Sequence, residues 1–316
     1  MYPLYSLLWL YIGIPRRWMI SLTVYRLTYR LFNDKRLANT ACTLFAWTPA
    51  GIFMSSMYVL SPSSASDGCR YTESLFCLLS FSGMLAYEKR KTYLAALIFG
   101  VSSLVRSNGV VHAGFFLYDL VKPSLQTRSI RIPPLSIIIT RILQTIICFS
   151  GFAAFQYYAF TRFCPGRLWC DNRIPLAYSF IQAEYWNNGF MKYYNVSQIP
   201  NFLLAAPVFL ISTFSFYSYS RARRTKSDEK SDMLNKPLSL PYMVLWAFLL
   251  TVCMTTMHVQ VITRFLSSTP ALYWFLAKFL HSSSKSENAI GRLALVYSIG
   301  FTCVGCVLFS NFYPPA

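Results

Sequence analysis

Seven consecutive residues of the stretch MHVQVITRFL (257–266) carry an imidazole, an amide and a guanidinium, at His258, Gln260 and Arg264. Arg106 and Asn108 form a similar group in VRSNGV. A guanidinium is a planar fork of donors that matches the oxygens of phosphate or carboxylate. Set beside amides and an imidazole, it makes a group suited to holding an anion, and a nearby carboxylate would supply a base. Two acids are candidates for it: Glu73, which opens the apolar run TESLFCLLSFSGMLAY, and Glu184, close to Trp186 in IQAEYWNNGF.

Each of these residues also has a purely structural reading. An acid at a helix start is favoured by the helix dipole, with Ser or Thr capping nearby. Arg106 would be satisfied by a structural pair with Glu73, and Arg264 by extending to a membrane interface. His258 alone fits a packed, hydrogen-bonded side chain. The two sets of readings divide on where the chain places these residues.

The elements that place them are apolar. Of 316 residues, 55% are hydrophobic and 13% charged, with a mean hydropathy of +0.40. Runs at 37–60, 133–160, 201–219, 238–262 and 293–312 reach the roughly 20 residues that a spanning helix needs. They are continuous and not alternating, which argues against a transmembrane barrel. The expected fold is an all-α polytopic membrane protein, a single membrane domain over 1–316.

The net charge of +18 argues for cytoplasmic loops and not for nucleic acid, because Lys and Arg gather on the cytoplasmic side of multispan proteins. Basic clusters fall at 15–36, at EKRK (88–91), at 122–131, at 221–237 and at Lys285 with Arg292. The segment 92–121 lies between two of them, so it must enter and return. At about 1.5 Å per residue it is too short for two spans, and a re-entrant hairpin turning at VRSNGV is expected. Residues 15–36 read as an amphipathic helix in the interface. Loops 1–3, 62–71, 161–200 and 263–267 and the tail 311–316 then face the opposite side. Glu73, Arg106, Asn108, Glu184, Trp186, His258, Gln260 and Arg264 converge on that face, where ionisable groups at membrane depth mark a substrate path.

Six of the eleven acids (Asp34, Glu88, Asp228, Glu229, Asp232 and Glu287) lie with cytoplasmic cations and read as their solvated partners. The nine cysteines show no CxxC pair and no zinc-like spacing, and no acidic pair or His cluster points to a metal. Cys69, Cys164 and Cys170 stand in polar stretches. An oxidising lumen would permit a Cys164–Cys170 bridge, which sequence alone does not establish. Asn195-Val196-Ser197 is a glycosylation sequon, usable only in a luminal loop.

In order along the chain, YTESLFCLLSFSGML, RSNGVV, FQYYAFTRFC, YSFIQAEYWNNGFMKYYNVSQIPNFLLAAPV, MHVQVITRFLSSTPALYWF and NFYPPA resemble the PIG-V family, the mannosyltransferases acting second in glycosylphosphatidylinositol (GPI) anchor synthesis. The resemblance implies a GT-C-like helical bundle with a lumen-facing site in the endoplasmic reticulum membrane. It implies an α-1,6-mannosyltransferase that takes dolichol-phosphate-mannose as donor and the GPI precursor glycolipid as acceptor. Membrane lipids and a small membrane subunit would be its partners, and it would need no cofactor.

A β-linked donor giving an α product requires inversion, with a carboxylate base on the acceptor hydroxyl and donors on the departing phosphate. The family's expected acid stands in a Trp-Asp pair after a first helix. MYPLYSLLWLY resembles the approach to the second helix, so that acid is expected upstream of Met1. Glu73 is then the candidate base within this sequence. The competing expectation is a multispan transporter or lipid-binding subunit that uses the same polar cavity without chemistry.

Overall fold

Without water to satisfy backbone N–H and C=O groups, an apolar run must close its hydrogen bonds internally as a helix. The computed structural model describes residues 19–48, 72–127, 129–224 and 237–310, and within them the regular elements are all helical. Asp67, Cys69, Asp228, Glu229, Asp232, the loop at 62–71 and the tail 311–316 lie outside the described residues, as do the beginning of the chain and most of the basic loop 221–237.

Among the described residues, three helices are long and apolar enough to cross a membrane: α6 (Leu135–Phe163), α8 (Ile199–Arg224) and α12 (Lys285–Ser310). They correspond to the runs at 133–160, 201–219 and 293–312. Their apolar residues point largely outward, as with Ile139, Ile142 and Ile146 on α6, which suits a lipid surround. α8 continues to Arg224, so Arg221 and Arg223 end a helix instead of sitting in a loop.

The shorter helices supply most of the main core: α1 (residues 19–32), α2 (Lys35–Ala46), α3 (Glu73–Glu88), α4 (Thr92–Val105), α5 (Gly114–Thr127), α9 (Leu240–Thr255), α10 (Ile262–Leu266) and α11 (Pro270–His281). α7 (Ala177–Glu184) lies outside it, with Ala177 packed in a small cluster with Ala159 and Trp169. α11 is buried on almost every side, as a helix apolar all round must be; Tyr273, Trp274, Phe275, Ala277 and Phe279 are all within 1% of full burial. Proline at its first turn follows an extended Thr269, the arrangement a helix start favours. Trp274 packs edge-on against Phe32 and donates its indole N–H to Thr28 Oγ1 at 2.8 Å. That contact ties α11 to α1.

α1 has the expected amphipathic form, with Ile20, Val24, Leu27 and Leu31 buried on one face. α2 occupies only the first part of the run 37–60, and residues 49–60 are not described. Asp34 is not merely a solvated partner of cations: it caps α2, its Oδ1 accepting from the amides of Arg36 and Leu37. Glu88 also departs from expectation, because it accepts the hydroxyl of the buried Tyr242 at 2.7 Å.

The segment 92–121 breaks where expected. α4 ends at Val105, Arg106 is extended (φ −148, ψ 137), Ser107–Ala113 is 3-10 helical, and α5 follows. Fourteen residues per helix give about 21 Å each, less than a hydrocarbon core. α4 lies directly on α6 through two glycines. A Cβ at Gly151 would meet the carbonyl oxygen of Gly100 and, at 2.8 Å, the amide of Leu104. A Cβ at Gly100 would sit 2.6 Å from Ile147 O.

One expected span is shorter than its apolar run. The run 238–262 is helical only to Thr255, after which Val259–Val261 is 3-10 and α10 begins. The reason is tertiary. The amide of Met191 donates to Thr255 O at 2.7 Å, and Tyr194 Oη donates to Met254 O at 2.8 Å. The loop at 161–200 thus satisfies the carbonyls that the next helical turn would have used. The expected loop 263–267 is mostly helix, with Ile262, Thr263 and Leu266 buried.

Candidate functional site

Glu73 is the first residue of α3, and the preceding Thr72 makes no side-chain cap. Its side chain is 1% exposed. Two cations reach it from distant elements. Arg106, at the break after α4, places Nη1 at 2.7 Å from Glu73 Oε1. Arg264, within α10, donates through Nε at 2.7 Å and also through Nη2 to the same oxygen. Both guanidinium groups therefore converge on one carboxylate oxygen. Among the described residues, no donor reaches the other oxygen, Oε2, although it is buried.

The structural pairing of Arg106 with Glu73 is thus formed, and Arg264 shares it. Arg106 also lies over the Phe76 ring, 5.9 Å from its centroid, a cation–π contact. Both arginines remain partly exposed, at 18% and 26%. A buried carboxylate with two half-buried guanidinium groups is a rigid cationic surface, and planar forks held in this way are preorganised for an oxyanion.

Local sequence makes the knot feasible. The extended conformation of Arg106 turns its side chain away from the axis of α4. The polar turn then folds back, with Gly109 against Ser102 and Ser103, where a Cβ would come within 2.7 Å of their backbone. Asn108 is half-buried in that turn. Arg264 owes its position to the early end of α9, since a continuous helix through 262 would carry it elsewhere.

A second group forms around the loop at 161–200. His258 Nε2 is 2.6 Å from Trp186 O, and its ring lies against Tyr193 with centroids 4.5 Å apart. Tyr193 Oη donates to Gln260 Oε1 at 3.5 Å and accepts from Asn201 Nδ2 at 2.8 Å. Burial raises the Tyr193 phenol above its ordinary pKa, against the opposing effect of the Asn201 amide, so the hydroxyl stays a neutral donor. His258 here is a packed, hydrogen-bonded residue. Trp186 contributes its carbonyl while its side chain stays 59% exposed.

Of the expected residues, Glu73, Arg106 and Arg264 meet directly, and His258, Gln260 and Trp186 meet through Tyr193 and the loop. Glu184 is exposed at the end of α7, and among the described residues no ion pair or hydrogen bond joins it to either group. Sequence reasoning did not single out Tyr193 or Asn201. Their only signal was the density of tyrosines and amides between 179 and 207. Cys164 and Cys170 form a disulfide, with Cα atoms 5.8 Å apart.

Fold and site together define a multispan helical membrane protein whose interior holds a carboxylate and two guanidinium groups gathered from three separate parts of the chain. Residues 16–316 match the Mannosyltransferase (PIG-V) family, and the chain belongs to it. It is 31% identical over 297 residues to GPI mannosyltransferase 2 of Schizosaccharomyces pombe, covering 93% of this chain and 60% of that protein. It is 33% identical to GPI mannosyltransferase 2 of Gibberella zeae, over 93% of this chain and 71% of the relative. Against the human GPI alpha-1,6-mannosyltransferase 2 the identity is 32%, over 83% of this chain and 62% of the relative. The chain thus spans about three-fifths of the yeast and human relatives. No solved structure matches it.

Proposed function

We propose that this chain is an α-1,6-mannosyltransferase of the endoplasmic reticulum membrane. It moves mannose from dolichol-phosphate-mannose to the GPI precursor, at a site on the luminal face. Family membership and the names of its relatives support the reaction class. The observation that carries the site is the convergence of Arg106 and Arg264 on Glu73 Oε1.

In this reading the two guanidinium groups bind the donor phosphate and stabilise the charge it gains as the sugar departs. Glu73 is a positioning residue. A carboxylate already engaged by two cations is a poor proton acceptor, so its part is to hold the two arginines in place. The loop at 161–200, with Tyr193, Asn201, His258 and Gln260, holds the acceptor glycan. The disulfide in that loop supports its exposure to an oxidising lumen. The lengths of α4 and α5 support a re-entrant hairpin that presents Arg106 at its tip.

The test is transfer of labelled mannose from dolichol-phosphate-mannose in membranes from cells that depend on this chain. Arg106→Ala and Arg264→Ala should each abolish most transfer, with a raised KM for the donor. Transfer unchanged by both would remove the arginines from the site.

A further inference from the structure

A cleft between α1 and the C-terminal end of α3 takes no part in this chemistry. It is an open groove of about 400 Å³, lined by Tyr25, Arg26, Tyr29, Arg30, Asn33 and Lys89 around the apolar side chain of Leu85. The buried face of α1, from Ile20 to Leu31, fixes which way the opposite face points. Arg26 and Arg30 lie one helical turn apart on that face. The Tyr25 and Tyr29 rings stand parallel, 5° apart with centroids at 6.1 Å.

Among the described residues, no carboxylate lines the cleft. The nearest acids along the chain are already committed, Asp34 to the cap of α2 and Glu88 to Tyr242. Among the described residues none of Arg26, Arg30 or Lys89 forms an ion pair with a carboxylate. General enrichment of cytoplasmic loops in cations does not require three of them to converge on one cavity, two from a helix locked by its buried face and one from the end of α3.

We propose that this cleft binds a phosphate ester, supplied by the headgroup of an anionic phospholipid in the cytoplasmic leaflet. Two guanidinium forks and an ammonium satisfy phosphate oxygens. Tyrosines suit the depth of lipid headgroups. The exposed Met19 and Leu22 on the same helix offer contact to acyl chain. The leaflet assignment rests on the topology proposed above, whereas binding to the cleft does not.

The test is titration of the full chain, purified in an uncharged detergent, with short-chain phosphatidic acid, phosphatidylcholine and inorganic phosphate, followed by native mass spectrometry. Phosphatidic acid should bind and phosphatidylcholine should not. Arg26→Ala with Arg30→Ala should weaken binding about tenfold or more. The charge-matched pair Lys285→Ala with Arg292→Ala should leave it unchanged. Lys89→Ala, at an exposed side chain, should weaken it about fivefold.

Equal losses from both double variants, or no loss from Lys89→Ala, would overturn the site. Competition by inorganic phosphate as strong as by phosphatidic acid would assign it to free phosphate and overturn the lipid. The assay requires no mannosyl transfer, so its failure is separable from failure of the proposed reaction.

Discussion

Arg264 donates two hydrogen bonds to a single oxygen of Glu73, a residue 191 positions earlier in the chain. The pair joins α10 to the start of α3, and Arg106 completes it from the break after α4. This knot fixes the relative positions of three elements that the rest of the site depends on.

Removing the carboxylate should cost more than removing either cation. Glu73→Gln leaves two guanidinium groups facing each other in a partly buried site, and loss of one member of a buried pair costs about 3–5 kcal/mol. Arg264→Ala leaves Glu73 still paired with Arg106 and should cost less. Thermal midpoints in detergent should rank wild type, Arg264→Ala, then Glu73→Gln. The reverse order would mean that the knot is not the unit described.

Arg264→Lys separates charge from geometry. Lysine keeps the positive charge but loses the two-donor fork that engages Oε1. Transfer by the Lys variant should fall about tenfold or more, and by Arg264→Ala further still. Equal activity of the Arg264→Lys and wild-type proteins in labelled-mannose transfer would show that charge alone suffices.

The glycine contact between α4 and α6 predicts a steric effect at a distance. At Gly151→Ala the new methyl meets backbone atoms of Gly100 and Leu104, which cannot rotate away. Overpacking of this kind costs about 3 kcal/mol, and the shift propagates along α4 to Arg106 at its end. The variant should lose both thermal stability and transfer, whereas Gly300→Ala, with open space around its added Cβ, should lose neither.

Topology can be read by labelling. In sealed microsomes, a single cysteine placed at position 228 should react with an impermeant maleimide without permeabilisation. Cys164 and Cys170 should react only after both permeabilisation and reduction, because they are joined in a disulfide. Reaction at 228 only after permeabilisation would invert the orientation proposed here. Replacing both cysteines by serine should cost about 2 kcal/mol for so short a loop.

The sequence by itself determined the class of the fold and the family. Continuous apolar length demands helices in a bilayer whatever packs against them, so α6, α8 and α12 were legible as spans. The polar turn at VRSNGV was legible as a break between two short helices, because Asn and Gly disfavour a helix interior. The types of side chain at Glu73, Arg106 and Arg264 were legible as a group suited to an anion.

Tertiary structure alone decided how those groups are joined. The run 238–262 carries no helix-breaking residue between Pro241 and Arg264, yet it stops at Thr255 because Met191 and Tyr194 occupy its last carbonyls. A hydrogen bond donated from about 60 residues away leaves no local trace in the stretch that receives it. The placement of Arg264 and of Tyr193 against His258 depends on these bonds. The ion knot is settled in the same way: two cations share one oxygen because three elements pack at one place, and no spacing along the chain records it.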